Sequence, residues 1–537
     1  MDYDYLIVGG GSAGCVLAAR LSHSGRYRVC LIEAGPPDRN PAIHIPFGVV
    51  ALVRGWFCNW KFWSEPQPQA GGRRLYQPRG KTLGGCSSIN AMVCTRGHRW
   101  DYDHWAELGC EGWAYEDVLP YFRKSETYRA PLNADDARYH GSDGPLNVGL
   151  RQSDNPMSQV FIDAAVQAGY PHNDDFNGRT PEGAGHYKVF QKNGRRYSNA
   201  RAYLGEATGR GNLTILTDAQ VTEVLLRDGR AVGVSVLRGG REQTLNATRE
   251  VILSAGALQS PQLLMLSGIG PRAELEKHGI PVRHELAGVG ENLQDHLDVI
   301  IETRARTRLG VSLHPTSWGR LLLSLVQYLF GGRGPLGSNI AEAGGFFKST
   351  ADAAIPDLQW HFAPAANVHH GLDLSGLASR YAYVAYVCPL RPHSRGRVGL
   401  HSRDPLAPPL IDPRYLSDER DVELTLKGIR LTREVLAQQA FDPHRDAELA
   451  PGPQCQSDED LKRWIRDTAE SVYHPVGTCR MGTDAMAVVD PQLRVHGIDG
   501  LRVVDASIMP TLVGSNTNAP TTMIAEKAAD LILAAAA

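Results

Sequence analysis

Residues 3–14 read YDYLIVGGGSAG, and this stretch decides the fold. Tyr5 to Val8 form an apolar run that stops at Gly9-Gly10-Gly11, after which Ala13, Val16, Leu17 and Leu21 recur at helical spacing. The pattern predicts a strand, a glycine turn and a helix. A second apolar run, Val29 to Ile32, ends at Glu33, so this part of the chain reads as one βαβ unit opening a parallel sheet. Gly9, Gly11 and Gly14 satisfy GxGxxG. The first glycine permits the tight turn, the second lets the backbone approach a pyrophosphate, and the third lets helix and strand pack closely. The string alone is weak, because glycine-rich turns are common. Context strengthens it: Ser12 and Ala13 open the helix, and Glu33, followed by Ala34, stands 19 residues past Gly14 at a strand end. There a carboxylate accepts from ribose hydroxyls, which points to a bound dinucleotide. FAD and NAD share this fingerprint, and it does not choose between them.

The rest of the composition narrows the class. At 537 residues the chain exceeds the size one core supports, so more than one module is expected. With 42% hydrophobic and 21% charged residues it is a globular chain rather than a disordered one. The 56 basic and 58 acidic residues give a net charge of -2, which leaves no global basic field for nucleic acid. Nine cysteines form no CxxC pair, and no metal site is expected. Their odd number suits a reducing compartment better than a disulfide framework. The segment MDYDYLIVGG has acids where a secretory leader needs positive charge, so a cytoplasmic location is expected. The longest apolar run, Leu321 to Phe330, falls short of the ~20 residues that span a bilayer. It reads first as a buried or lid helix, and second as a surface helix touching the membrane.

Further strands are expected at Leu213–Leu216, Val221–Leu226, Ala231–Leu237 and Val251–Leu253, with a helix over Leu258–Leu266. From about Val299 the pattern alternates, as in Tyr381–Val387 and Val398–Leu400, which suggests an antiparallel sheet with long insertions. The chain returns to the first domain with a strand at Leu501–Asp505 and a closing helix over about Thr521–Leu533. Residues 36–78, rich in proline, glycine and tryptophan, read as long loops.

Five other clusters carry small or polar residues at places suited to a ligand: GKTLGGCSSIN (80–90), GALQSP (256–261), YHPVGTC (473–479), DASIMP (505–510) and NTNAP (516–520). Each alone is a structural motif first. Together with GGGSAG, Glu33, the longer GALQSPQLLMLSGIG block and GVGENLQDH (288–296), they resemble the glucose-methanol-choline (GMC) family of FAD-dependent oxidoreductases. The resemblance runs from Tyr3 to the final helix, with bacterial choline-dehydrogenase-like and alcohol-dehydrogenase-like members nearest in pattern. It implies an α/β fold: a Rossmann-like FAD-binding domain (1–155, 201–298 and 468–537) and a discontinuous substrate domain on an antiparallel sheet (156–200 and 299–467).

The resemblance also implies roles for particular residues. His474 would be the base or hydrogen-bond partner of the substrate hydroxyl, and Asn516 its partner. Asn518 and Pro520 would lie against the flavin, Asp505 and Ala506 would meet its ribityl-pyrophosphate part, Val221 would touch adenine, and Gly84 with Asn90 would hold the flavin from the glycine-pair loop. Some members attach the flavin through a histidine just before that asparagine. Here the position is Ile89, so the FAD is expected to be held without a covalent bond. The chemistry is consistent: a neutral imidazole accepts a proton at physiological pH, and an amide beside it orients the alcohol oxygen. His296, His369, His370 and His393 have no comparable context.

The function expected is oxidation of a primary alcohol, with long-chain, aromatic and furanic alcohols all open, to an aldehyde, with electrons passed to a quinone or another acceptor and weak peripheral contact with the membrane. An oxidase that makes hydrogen peroxide is the near alternative. A flavin photodecarboxylase or hydroxynitrile lyase on the same scaffold is the distant one, and Cys388 near Arg391 is a faint handle for the photodecarboxylase.

Overall fold

The computed structural model describes all residues except Met1, Asp154, Val368, 370–372 and Ala537, so His370 lies outside the described residues. Strand β1 (Asp2–Val8), helix α1 (Ser12–Leu21) and strand β2 (Val29–Ile32) form the expected unit. β1 lies between β2 and the strand Arg241–Leu253, parallel to both. The sheet has seven strands, running from Leu213–Leu216 through β2, β1 and Arg241–Leu253 to Arg230–Arg238 and Ala219–Arg227. Every residue of β2 is buried, as a central parallel strand covered on both faces requires.

One expected strand is much longer than its apolar run. Val251–Leu253 is the end of a 13-residue strand whose first four residues are exposed, whose next four alternate buried and exposed, and whose first half pairs with Arg230–Arg238 as a hairpin. Its last half sits between β1 and Leu501–Val503. The first half escapes an apolar search because it is largely solvated, with only Leu245 and Ala247 buried among its first eight residues. The closing helix, Asn518–Ala535, packs on α1, where the buried Glu526 takes a bidentate contact from Arg20 (2.7 and 2.8 Å) and a bond from the Tyr203 hydroxyl (2.7 Å). The two ends of the chain thus share one core.

The second sheet is antiparallel, ordered Ala343–Phe347, Leu358–Ala363, Ala382–Pro389, Leu297–Ala305 and Arg445–Ala450, with Glu470–Ser471 beside the start of Leu297–Ala305. Strand periodicity sorts its side chains. Leu358, Trp360 and Phe362 enter the core shared with helices Pro156–Gln167 and Glu419–Leu436. His361 and Ala363, from the alternate face, line the large cavity between the sheets.

The apolar run Leu321–Phe330 is not buried, which corrects the expectation of a buried helix. It forms a helix, Trp318–Gly331, whose one buried residue is Ser324. Leu322 is 66% and Phe330 89% exposed. Among the described residues no helix is long and apolar enough to cross a membrane.

Candidate active site

The turn between β1 and α1 is built around contacts that exclude side chains. A Cβ on Gly14 would stand 1.9 Å from the Gly9 carbonyl oxygen, so helix and turn meet only because residue 14 is glycine. Gly9 has φ +103° and is pressed against the Ser254 carbonyl. Gly11 differs: a Cβ there would meet no protein atom closer than 3.9 Å, so the space in front of it belongs to the cavity. No side chain caps α1 and its first turn holds no acid, which leaves its N–H groups to an anion. Glu33 accepts from Gly10 N (2.9 Å) and Gly35 N (2.8 Å), and burial pushes its carboxyl up to about 7.

One cavity of about 420 Å³ is lined by Gly9, Gly11, Ser12, Ala13, Glu33, Ala34, Asn90, Val221, Asp505, Ala506 and Asn518, and also by His474 and Asn516. The cradle suits a dinucleotide by its open glycine, its uncapped helix end and the strand-end acid. Gly14, Gly84 and Pro520 stand behind this wall rather than in it. Gly84 N donates to the Gly10 carbonyl (2.7 Å), and Pro520 is buried in the first turn of the closing helix. Asp505 has both oxygens engaged by protein. It accepts from Gly256 N (2.8 Å), Ser260 Oγ (2.6 Å) and Ser507 N (2.8 Å), so it shapes the loop facing the turn. Asn518 Oδ1 accepts from Ser12 Oγ (2.8 Å), tying the closing helix to the turn. Cys388 is buried and donates to Pro389 O, and Arg391 is paired with Asp101 (2.8 Å); neither lines the cavity.

His474 and Asn516, 42 positions apart in sequence, meet in the wall at 3.3 Å between Asn516 Nδ2 and His474 Nε2. Asp295 anchors the His474 loop. Its Oδ1 accepts from His474 N (2.7 Å), and its other oxygen accepts from the Ser471 and Tyr415 hydroxyls. The other imidazole nitrogen of His474, Nδ1, lies 2.9 Å from His296 Nδ1. Burial holds His474 well below the usual imidazole range, and His296, His361 and Arg79 add repulsion. His296 and His361 are each brought down to about 4, mainly by burial.

The residues missed from sequence are His296, Asp295, Asp298, His361, Thr95 and Gln359. The first three lie in or just after the GVGENLQDH block, whose repeated polar residues were the available signal. Thr95 and Gln359 come from a loop and a strand with no motif. Asp298 is buried in the cavity wall; burial, with Glu470 and Asp295 adding repulsion, raises its carboxyl well above the usual range.

The GMC oxidoreductase amino-terminal and carboxy-terminal family models match residues 3–298 and 392–525. The chain is 48% identical to alcohol dehydrogenase [acceptor] of Pseudomonas putida over 533 residues, covering 99% of this chain and 96% of the relative. It is 46% identical to an oxygen-dependent choline dehydrogenase of Pseudomonas putida strain F1, over 99% and 94% of the two chains. Among solved structures, pyridoxine 4-oxidase from Mesorbium loti matches with TM-score 0.88 and 32% identity, covering 98% of each chain. A formate oxidase of Aspergillus oryzae RIB40 matches with TM-score 0.93 and 28% identity over 99% and 98%. Full-length likeness at this identity makes the chain a member of the GMC oxidoreductase family, whose enzymes work with FAD.

Proposed function

We propose that the protein oxidises a primary alcohol to an aldehyde, with His474 as base and Asn516 orienting the hydroxyl. The observation that carries this reading is the 3.3 Å pair of His474 and Asn516 in the wall of the same cavity as the dinucleotide turn. FAD, when bound, supplies the hydride acceptor and a route for the two electrons to an external acceptor. His474 takes the hydroxyl proton and later releases it to solvent. Asn516 places an amide donor where negative charge grows on oxygen. Gly9, Gly11, Ser12, Ala13, Glu33, Ala34, Asn90, Val221, Ala506 and Asn518 would hold the cofactor, with Gly14, Gly84, Asp505 and Pro520 supporting them. We read the chain as a cofactor unit (1–155, 201–298, 468–537) and a substrate unit (156–200, 299–467); the two sheets support this division except at Leu297, Asp298 and Glu470–Ser471, which belong to the second sheet.

The acceptor is read as a quinone or a similar carrier rather than dioxygen. A panel of alcohols with a dye acceptor, run with and without oxygen, tests this. Substrate-dependent dye reduction with little peroxide is expected; peroxide equal to alcohol consumed, with no benefit from quinone, would make the protein an oxidase. Choline belongs in that panel, because the second relative is named for choline and a cation bound beside Asp298 and Tyr386 in the cavity wall would favour the ionised form of a carboxyl that burial otherwise pushes toward its neutral form. Ile89 lines the cavity where a covalent link would need a nucleophile. Acid precipitation should therefore leave yellow flavin in the supernatant, and colour in the pellet would reject non-covalent binding.

Weak contact with the membrane is part of this reading. The Trp318–Gly331 helix exposes Leu322, Leu325, Leu329 and Phe330. No Asp or Glu occurs between Glu302 and Glu342, while Arg306, Arg308, Arg320 and Arg333 do. Apolar burial at roughly 25 cal/mol per Å² together with these cations favours an anionic lipid surface. Replacing Leu322 and Leu325 by serine should abolish flotation with anionic vesicles and lower quinone reduction while sparing dye reduction. Unchanged flotation would remove the helix from the account.

A further inference from the structure

Hydrogen-bond bookkeeping around His474 yields more than its contact with Asn516. Thr95 Oγ1 lies 3.0 Å and Gln359 Nε2 3.3 Å from Asn516 Oδ1. The Gln359 amide nitrogen is a donor, and the Thr95 hydroxyl can give its hydrogen to the same oxygen, so Oδ1 is the accepting end of Asn516. Its Nδ2 is then turned to His474 Nε2, which must accept. At the other end of the chain of contacts, His296 Nε2 lies 2.8 Å from the Leu390 carbonyl oxygen, which can only accept. His296 therefore carries its hydrogen on Nε2. Its neutral ring leaves Nδ1 as an acceptor, 2.9 Å from His474 Nδ1, so His474 must donate there. Read from either end, the polarity agrees.

We propose that His296 is a positioning residue that holds His474 in the Nδ1–H tautomer, so that the Nε2 lone pair alone faces the reacting alcohol. The inference rests on the proposed role of His474 and adds how its accepting atom is chosen. His296 is fully buried and both of its ring nitrogens are engaged, by the Leu390 carbonyl and by His474 Nδ1, so no solvent molecule substitutes for this acceptor, while His474 itself lines the cavity. The 3.3 Å contact from Asn516 is at the long end for a hydrogen bond, so a substrate hydroxyl takes its place at Nε2 while the amide turns to the alcohol oxygen. On oxidation the O–H bond breaks toward Nε2 and the carbinol C–H bond gives up its electron pair as a hydride, which FAD would accept when bound, leaving the aldehyde C=O. His474 is then cationic, with its Nδ1–H still held by His296. An imidazole acceptor, unlike a carboxylate, fixes the tautomer without keeping an anion in the site.

The test is a ¹⁵N spectrum of the holoenzyme labelled in the histidine rings, with His474 assigned by difference against His474→Asn. The expected result at pH 7.5 is a protonated Nδ1 and an unprotonated Nε2; a hydrogen on Nε2 overturns the proposal. Two variants add a kinetic arm, with flavin circular dichroism as the check that the site is intact. His296→Asn keeps an oxygen acceptor near the Nδ1 position and should retain flavin reduction within about tenfold. His296→Leu removes it and should lose on the order of 10² in reduction rate, with substrate affinity changed by less than about threefold. Equal losses in the two variants, or loss of affinity in place of rate, would also overturn it. If His474→Ala still reduces flavin at the normal rate, the proposed function falls; if His474 is required but carries hydrogen on Nε2, only the role of His296 falls.

Discussion

His474→Ala is expected to fold, to keep its FAD and to lose alcohol-dependent flavin reduction by about 10² to 10⁴, the usual worth of a positioned general base. Stopped-flow reduction under anaerobic conditions reads the chemical step directly. Reduction at the wild-type rate would remove His474 from the chemistry. The same measurement against pH carries a sign. Burial first, then His296, His361 and Arg79, keep the His474 imidazole deprotonated well below its ordinary range. A base that is neutral in its active form therefore stays active as pH falls through 6.5, and reduction should be flat from pH 8 to below 6. A break near pH 6.5 would mean an exposed, ordinary imidazole, contrary to the burial of this ring.

Asn516→Ala should lower the reduction rate by about 10² to 10³ while weakening substrate binding much less. The donor it removes is oriented before substrate arrives, since Thr95 and Gln359 occupy its oxygen, and such a donor acts chiefly where charge develops in the transition state. Gln359 itself is fixed by the Tyr187 hydroxyl (3.1 Å), so the amide is supported two residues deep. An unchanged reduction rate would give Asn516 a structural role and make Asn518 the candidate, although Asn518 is engaged by Ser12.

The distribution of motif against geometry in this chain follows from what each constraint acts on. The glycine turn was legible because its requirement is local: Gly14 has no room for a side chain against Gly9, and Glu33 must reach back only to the backbone of Gly10 and Gly35. Most of the strands of the first sheet were legible from apolar runs, with the exception of the solvated half of Arg241–Leu253. His474 and Asn516 stood out only through a family resemblance of motifs, because nothing in the 41 intervening residues fixes their separation.

By itself the sequence determined the βαβ entry with its dinucleotide turn, the antiparallel character of the middle of the chain, and the motif blocks that mark the family. Each of these depends on neighbours within a few residues of one another. Only the tertiary structure decided that His296 meets His474, that Thr95 and Gln359 orient Asn516, that Gly84, Asp505 and Pro520 support the cavity from behind or beside it, and that the apolar helix at 318–331 is exposed. Those facts rest on which side of a strand faces the cavity and on which distant segments share a wall. A side chain's hydrogen-bond partner 157 to 421 positions away is set by packing of the two sheets, and no local pattern encodes it.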